Sequence, residues 1–214
     1  TLSVLKNFSD INQNLLIKPG NKVQTISTMK NILAEAEVSE KFESEFAIYD
    51  LPEFLRSVEL FDKPELKFNG GGYVNISKGN SRGIKYFFAD KSVIVSPSKG
   101  INMPDKHVTF TLKKDDFTDL MKGATTLNLP DISVVGKGGN ISIVATDKKN
   151  KSSNTYSVNV GETDKEFTAF FRTENFKQIV DDYDVAISKA KISHFVNRNK
   201  AVQYWIALEP DSEF

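Results

Sequence analysis

The sequence predicts an α+β fold of short antiparallel strands interrupted by a few amphipathic helices. Three observations carry this. Runs in which Val, Ile, Phe, Tyr and Thr alternate with polar residues recur along the 214 residues. Four short segments replace the two-residue period with a spacing of three to four. The frame of FAIYDLPEFL, residues 46–55, in which a strand runs straight into a helix, also comes round again: Tyr49-Asp50-Leu51-Pro52-Glu53-Phe54 aligns with Leu112-Lys113-Lys114-Asp115-Asp116-Phe117 and with Phe171-Arg172-Thr173-Glu174-Asn175-Phe176.

Taken in order, the first helix gathers Val4, Phe8 and Ile11, with Leu5 beside them. Strands follow in LLIKP (15–19) and KVQTIST (22–28). The second helix places Leu51, Phe54, Leu55 and Val58 on one face, with Asp50 as N-cap and Pro52 in the first turn. Strands resume in GYVNISK (72–78) and GIKYFFA (83–89). The third helix sets Phe117, Leu120, Met121 and Ala124 at helical spacing behind acidic Asp115 and Asp116. DISVVGKGGNISIVA, TYSVNV and KEFTAFFR then read as strands. A fourth helix is expected from Phe176, Ile179 and Val180 behind Thr173 and Glu174, and YDVAISK, ISHFV and AVQYWIAL complete the strands. Pro19-Gly20, Gly70-Gly71-Gly72, Lys78-Gly79-Asn80, Gly136 to Gly139 and Asn197 to Lys200 supply the turns of antiparallel hairpins.

Phe54, Phe117 and Phe176 lie 63 and 59 residues apart. One short helix plus several antiparallel strands therefore forms a repeating unit, and the N-terminal helix begins another copy. Four units make two pairs: a first domain over 1–92, an irregular connector over 93–106 within KSVIVSPSKGINMPDKH, and a second domain over 107–214. Periodicity alone equally allows a sandwich whose helices merely cover a sheet.

Composition narrows the function. Twenty-eight basic residues balance 28 acidic ones, so the long-range attraction of a free-standing nucleic-acid binder is absent. Zero cysteines excludes disulfides, thiol nucleophiles and cysteine metal sites. No apolar run approaches the roughly 18 residues of a membrane span, and TLSVLKNFSDIN has no secretory apolar region, so neither membrane nor export is expected. The two histidines, His107 and His194, have no neighbour arranged as a metal partner or triad member and read as strand residues. Gly136-Lys137-Gly138-Gly139 lacks the Ser or Thr and the helix of a phosphate loop, and Asp181-Asp182-Tyr183-Asp184 lacks EF-hand spacing. No enzyme, metal or cofactor is expected.

VLKNFSDIN at the start, FAIYDLPEFL in the middle and YWIALEPDSEF at the end resemble, in order and placement, the sliding clamps of T-even-type bacteriophages. The resemblance implies a DNA-clamp architecture: two similar domains, a head-to-tail homotrimer closed into a ring around duplex DNA, and helices lining the hole. It also implies a phage DNA polymerase as partner, a separate ATP-dependent clamp loader, and the host cytoplasm as location. Thr1 in place of Met is expected to reflect a trimmed or processed N-terminus. The alternative is a β-rich phage tail or tube subunit, also an oligomer without an active site.

Under the clamp reading, Lys6, Arg56, Lys122 and Lys177 face DNA, although windows 50–60 and 173–182 each hold three acidic residues against one basic, which by itself describes ordinary solvated faces. Loop DKKNKSSN, with Lys148, Lys149 and Lys151, reads as a solvated hairpin tip. Ring closure is expected from strand pairing between GIKYFFA and TYSVNV of neighbouring subunits, through Lys85, Tyr86, Phe87, Tyr156 and Val158. The family's partners dock tail peptides beside the connector and the C-terminus, which points to Ile94, Val95, Ile101, Met103, Leu208 and Pro210. Met103 and Leu208 are the expected exposed anchors.

Overall fold

The structure, a computed structural model, describes residues 1–79 and 81–214. Asn80, the tip of the expected Lys78-Gly79-Asn80 turn, lies outside the described residues. The chain divides into two compact units, Thr1–Lys99 and Gly100–Phe214.

Unit 1 opens with α1 (Leu2–Ile11), which buries Leu5, Phe8 and Ile11. Then come β1 (Leu15–Ile17), β2 (Gly20–Ile26), β3 (Ile32–Phe42) and β4 (Phe46–Ile48). β1 pairs with β4 and β2 with β3, both antiparallel. α2 (Leu51–Glu59) follows β4 directly. The Asp50 carboxylate accepts from the Glu53 N–H at 2.7 Å, and Leu51, Phe54, Leu55 and Val58 are buried. β5 (Glu65–Phe68), β6 (Tyr73–Lys78) and β7 (Arg82–Phe87) form a three-stranded meander in that order. The length of β3 was not apparent in the sequence. ILAEAEVSEKF is rich in Ala and Glu, which favour helix, yet Ala34, Ala36 and Val38 alternate inward along an eleven-residue strand. Small side chains buried on alternate positions outweigh the local preference.

Unit 2 repeats the plan. β8 (Val108–Leu112) leads into α3 (Lys114–Thr126), which buries Phe117, Leu120 and Ala124 and leaves Met121 half-buried. β9 (Asp131–Lys137), β10 (Asn140–Thr146), β11 (Tyr156–Glu162) and β12 (Phe167–Arg172) make a sheet in the order β11-β10-β9-β12. β13 (Tyr183–Ser188), β14 (Ile192–Asn197) and β15 (Val202–Ala207) form a second antiparallel array with β8 on the free side of β13.

The expected fourth helix does not form. Thr173–Asn175 is a single 3-10 turn, and residues 176–182 run as a loop. The physical reason is tertiary. Phe176 is held edge-on between Phe171 and Phe195, at 5.3 and 5.8 Å. The Ile179 N–H donates to the Tyr204 hydroxyl at 3.3 Å, and the Tyr183 hydroxyl donates to the Ile179 carbonyl at 2.6 Å. Backbone groups that a helix would pair internally are satisfied by tyrosines instead. Asp181 and Asp182 have separate tasks: Asp182 accepts from the Lys114 N–H at 2.7 Å and caps α3, whose own Lys113 offers no side-chain cap.

Candidate functional site: helix faces, sheet edges and connector

The apolar faces of α1 and α2 pack together in unit 1, leaving Lys6 and Arg56 on exposed faces. The Lys6 ammonium reaches Glu59 at the end of α2 and ties the two helices. In unit 2, Lys122 is exposed on α3 beside Asp119 at 3.7 Å. Lys177, expected on a helix, is half-buried in the loop after the 3-10 turn, so its helical placement is corrected. Lys148 is not a free hairpin-tip cation. Its ammonium lies 2.8 Å from Asp211 and 3.8 Å from Glu209, over the Phe170 ring, with its side chain 14% exposed. That ion pair holds the Asp211 carboxyl below its usual range.

Both strands expected at subunit boundaries stand at the ends of their own sheets. β7 closes the three-stranded array of unit 1 and β11 the four-stranded array of unit 2. On β7 the alternation divides the predicted residues. Phe87 is 66% exposed, and Lys85 lies over the Tyr73 ring at 3.9 Å on the same face. Tyr86 turns inward: its ring meets Phe54 edge-on at 5.2 Å and its hydroxyl donates to the Asp50 carbonyl at 3.1 Å. Burial, then Glu53 and Asp50, pushes that phenol up to about 12, so it stays a donor at neutral pH. On β11, Tyr156 rests on the Gly123 face of α3 and Val158 is half-buried. A Cβ at Gly123 would fall 2.6 Å from the Tyr156 ring, so glycine is what lets the strand lie this close.

Of the connector residues, Ile94 and Val95 are pinned within unit 1. Ile94 is 9% exposed. The Val95 N–H donates to Asn14 Oδ1 at 3.1 Å and its carbonyl accepts from Asn12 Nδ2 at 3.2 Å. Ile101 and Met103 are half-buried and Pro210 is exposed. Leu208, expected as an exposed anchor, is 6% exposed; its N–H is bonded to the Lys191 carbonyl at 2.9 Å, and strand β15 carries it inward. The acidic tail is ordered as well: Thr168 and Glu213 exchange backbone hydrogen bonds at 2.9 Å, and Phe214 stacks on Phe167. Of the histidines, His194 lies in β14, stacked on Trp205 at 4.5 Å, and His107 stands just before β8. Among the described residues no group of three acidic or imidazole side chains could hold a metal, and no helix is long and apolar enough to cross a membrane.

Sequence reading missed an aromatic cluster of unit 1, where Phe46 stacks on Phe88 at 4.7 Å and meets Phe68 at 5.1 Å and Phe42 at 5.7 Å. Phe42 ends β3 and Phe68 ends β5, neither of which had been recognised as a strand.

Two paired helix-and-sheet units with open end strands define the DNA-clamp fold. The solved structure of proliferating cellular nuclear antigen from Entamoeba histolytica superposes with a TM-score of 0.69 at 14% identity, covering 97% of this chain and 94% of that one. Its counterpart from Thermococcus kodakaraensis gives 0.70 at 14% identity over 97% and 95%. The family described as DNA polymerase processivity factor matches residues 1–96, and the gp45 sliding clamp C-terminal family matches 109–210. The sliding clamp of Vibrio phage KVP40 is 34% identical over 98% of this chain and 96% of its own length. Those of Escherichia phage RB69 and Enterobacteria phage T4 are 31% and 30% identical, each over 99% of this chain and 96% of their own. The chain belongs to the sliding-clamp family of T4-like phages, the DNA polymerase processivity factors.

Proposed function

We propose that three copies of this chain close head to tail into a ring around duplex DNA and tether the phage replicative polymerase, in the cytoplasm of the infected host, without catalysis of their own. Within each copy, residues 1–92 and 107–214 act as two clamp domains joined by the connector 93–106. The observation that carries this reading is the pair of open strands, β7 and β11, at the sheet ends of the two units. A contact between two different edges is heterologous, and repeated around an axis it closes when its rotation fits. Each edge also covers the other's unpaired backbone groups.

An encircled duplex cannot leave sideways, so processivity does not require strong phosphate contacts, and a neutral chain suffices. Lys6, Arg56 and Lys122 from helices, with Lys177 from its loop, supply weak, sequence-independent contacts to the duplex. A separate ATP-dependent loader opens and closes the ring. Partner tail peptides dock beside the connector, with Met103 and Ile101 offering adaptable apolar contacts, while Ile94 and Val95 act from within unit 1 and the buried Leu208 from within unit 2. Pro210 stands at the rim. Extension on a primed circular template with loader and ATP tests the function: long products that require the chain support it, and distributive synthesis with or without it argues against.

A further inference from the structure

The outer side of β12 is covered by the chain itself. β12 ends the four-stranded sheet of unit 2, and residues 209–214, which follow β15, run along its edge as a strap. The Glu209 N–H donates to the Phe170 carbonyl at 2.8 Å, the Phe170 N–H donates to the Ser212 hydroxyl at 2.9 Å, and Thr168 and Glu213 bond to each other in both directions. Unit 1 starts the same way: after β7 the Ala89 N–H donates to the Ala47 carbonyl of β4 at 2.9 Å. There the chain turns at once into the 3-10 turn Lys91–Val93, whereas in unit 2 it continues along the strand.

The two sides of this contact differ in firmness. On the β12 side, Lys148 is fixed independently of the strap: its backbone N–H donates at 3.1 Å to Asp131, a residue 1% exposed, and its ammonium lies over the Phe170 ring. On the strap side, Leu208 is buried and pins the chain up to that point, but beyond it only Ser212 is buried. Asp211 is held by Lys148, the Pro210 carbonyl by the Lys191 ammonium, and Phe214 by the rings of Phe167 and His107. Exposed ion pairs and edge hydrogen bonds of this kind each contribute little, so the strap is the part that yields.

We propose that the edge of β12 is a peptide site occupied in cis by the chain's own residues 209–214, and that an extended acidic segment of a partner protein takes it by replacing them. The strap shows what the site accepts. In order, these are a carboxylate that reaches Lys148, a small hydroxyl residue that meets the Phe170 N–H, a backbone unit paired with Thr168, and an aromatic ring stacked on Phe167. Main-chain pairing supplies the affinity and these side chains the selection. Until it is replaced, the strap keeps the edge from unselective pairing. Being tethered, it competes at an effective concentration on the order of millimolar, so loosening it opens the site. The site lies within one unit and does not rest on the ring or on the clamp function.

The probe is the chain's own segment as a free, fluorescein-labelled peptide, ALEPDSEF, residues 207–214, added to the full chain and followed by anisotropy. Asp211→Lys turns the attraction to Lys148 into repulsion and should release the strap. The Thr168 and Phe170 N–H groups should then exchange faster with solvent, and the peptide should bind about tenfold or more tighter than to the parent and restore their protection. Adding Lys148→Glu to Asp211→Lys rebuilds the pair with its signs reversed, which should refasten the strap and abolish peptide binding. Equal peptide affinity for the parent and Asp211→Lys overturns the proposal, as does unchanged exchange at Thr168 and Phe170 in that variant. So does protection in Asp211→Lys that grows with protein concentration in the absence of peptide, since a second copy would then be the occupant.

Discussion

Asp181 shows what one carboxylate does in the loop that stands where a helix was expected. It is 5% exposed. Its Oδ1 accepts from Asn199 Nδ2 at 2.6 Å and from the Asp182 N–H at 2.9 Å, and the Lys200 ammonium sits on its other oxygen. Burial alone would raise this carboxyl, but Lys200, Asn199 and the Asp182 N–H outweigh it and hold the group well below the usual carboxylate range. With the folded value depressed, the stabilisation is complete above the unfolded value of about 3.9 and is lost as pH falls below it. Asp181→Asn should cost about 2 kcal/mol at pH 7 and should flatten the loss of stability below about pH 4. Urea unfolding of both proteins at pH 7 and pH 3 checks this; a variant with the parent's full acid sensitivity would show that another group is responsible. Gly136 in β9 has a different reason to be glycine. A Cβ there would stand 2.3 Å from the Phe167 ring and 2.6 Å from the Lys165 carbonyl, so Gly136→Ala should cost about 1–3 kcal/mol through overpacking. An unchanged melting midpoint would mean that β9 and β12 can spread apart.

Among the elements, β7 and the basic helix faces carry the strongest expectations. Lys85→Pro removes a backbone donor from an edge strand and should shift the solution mass toward monomer while circular dichroism stays unchanged. A trimer that resists dilution as the parent does would place the subunit boundary elsewhere. The same substitution at Tyr156 is less clean, since it also strips the ring from Gly123. Replacing Lys6, Arg56, Lys122 and Lys177 together by Ala should slow loader-dependent synthesis increasingly as salt rises, with the oligomer mass unchanged. Normal synthesis across salt would leave topology alone to explain processivity. The helices themselves were legible where local signals agreed, as in α2 with its Asp50 cap and Pro52. They were not where Tyr204 and Tyr183, brought in from other strands, took the place of helical hydrogen bonds.

For the molecule as a whole, the expected assembly is a trimer, measured by light scattering; a stable monomer or a large tube would contradict the ring. Met103→Asp should weaken binding of a polymerase C-terminal peptide in an intact oligomer by anisotropy, with up to about 2 kcal/mol at stake for one apolar anchor. Undiminished affinity would move the docking surface away from the connector. The sequence by itself determined the strand periods, three of the four expected amphipathic helices, the strand-to-helix corner at two of its three expected places and the family, because each is written in local spacing or in blocks of consecutive residues. Tertiary structure decided the rest. It made a long strand of the Ala- and Glu-rich β3, turned Tyr86 and Leu208 inward, and locked Lys148 to the acidic tail. Each of these depends on which distant residues become neighbours, and burial and hydrogen bonding between neighbours outweigh the few tenths of a kcal/mol by which local propensities differ.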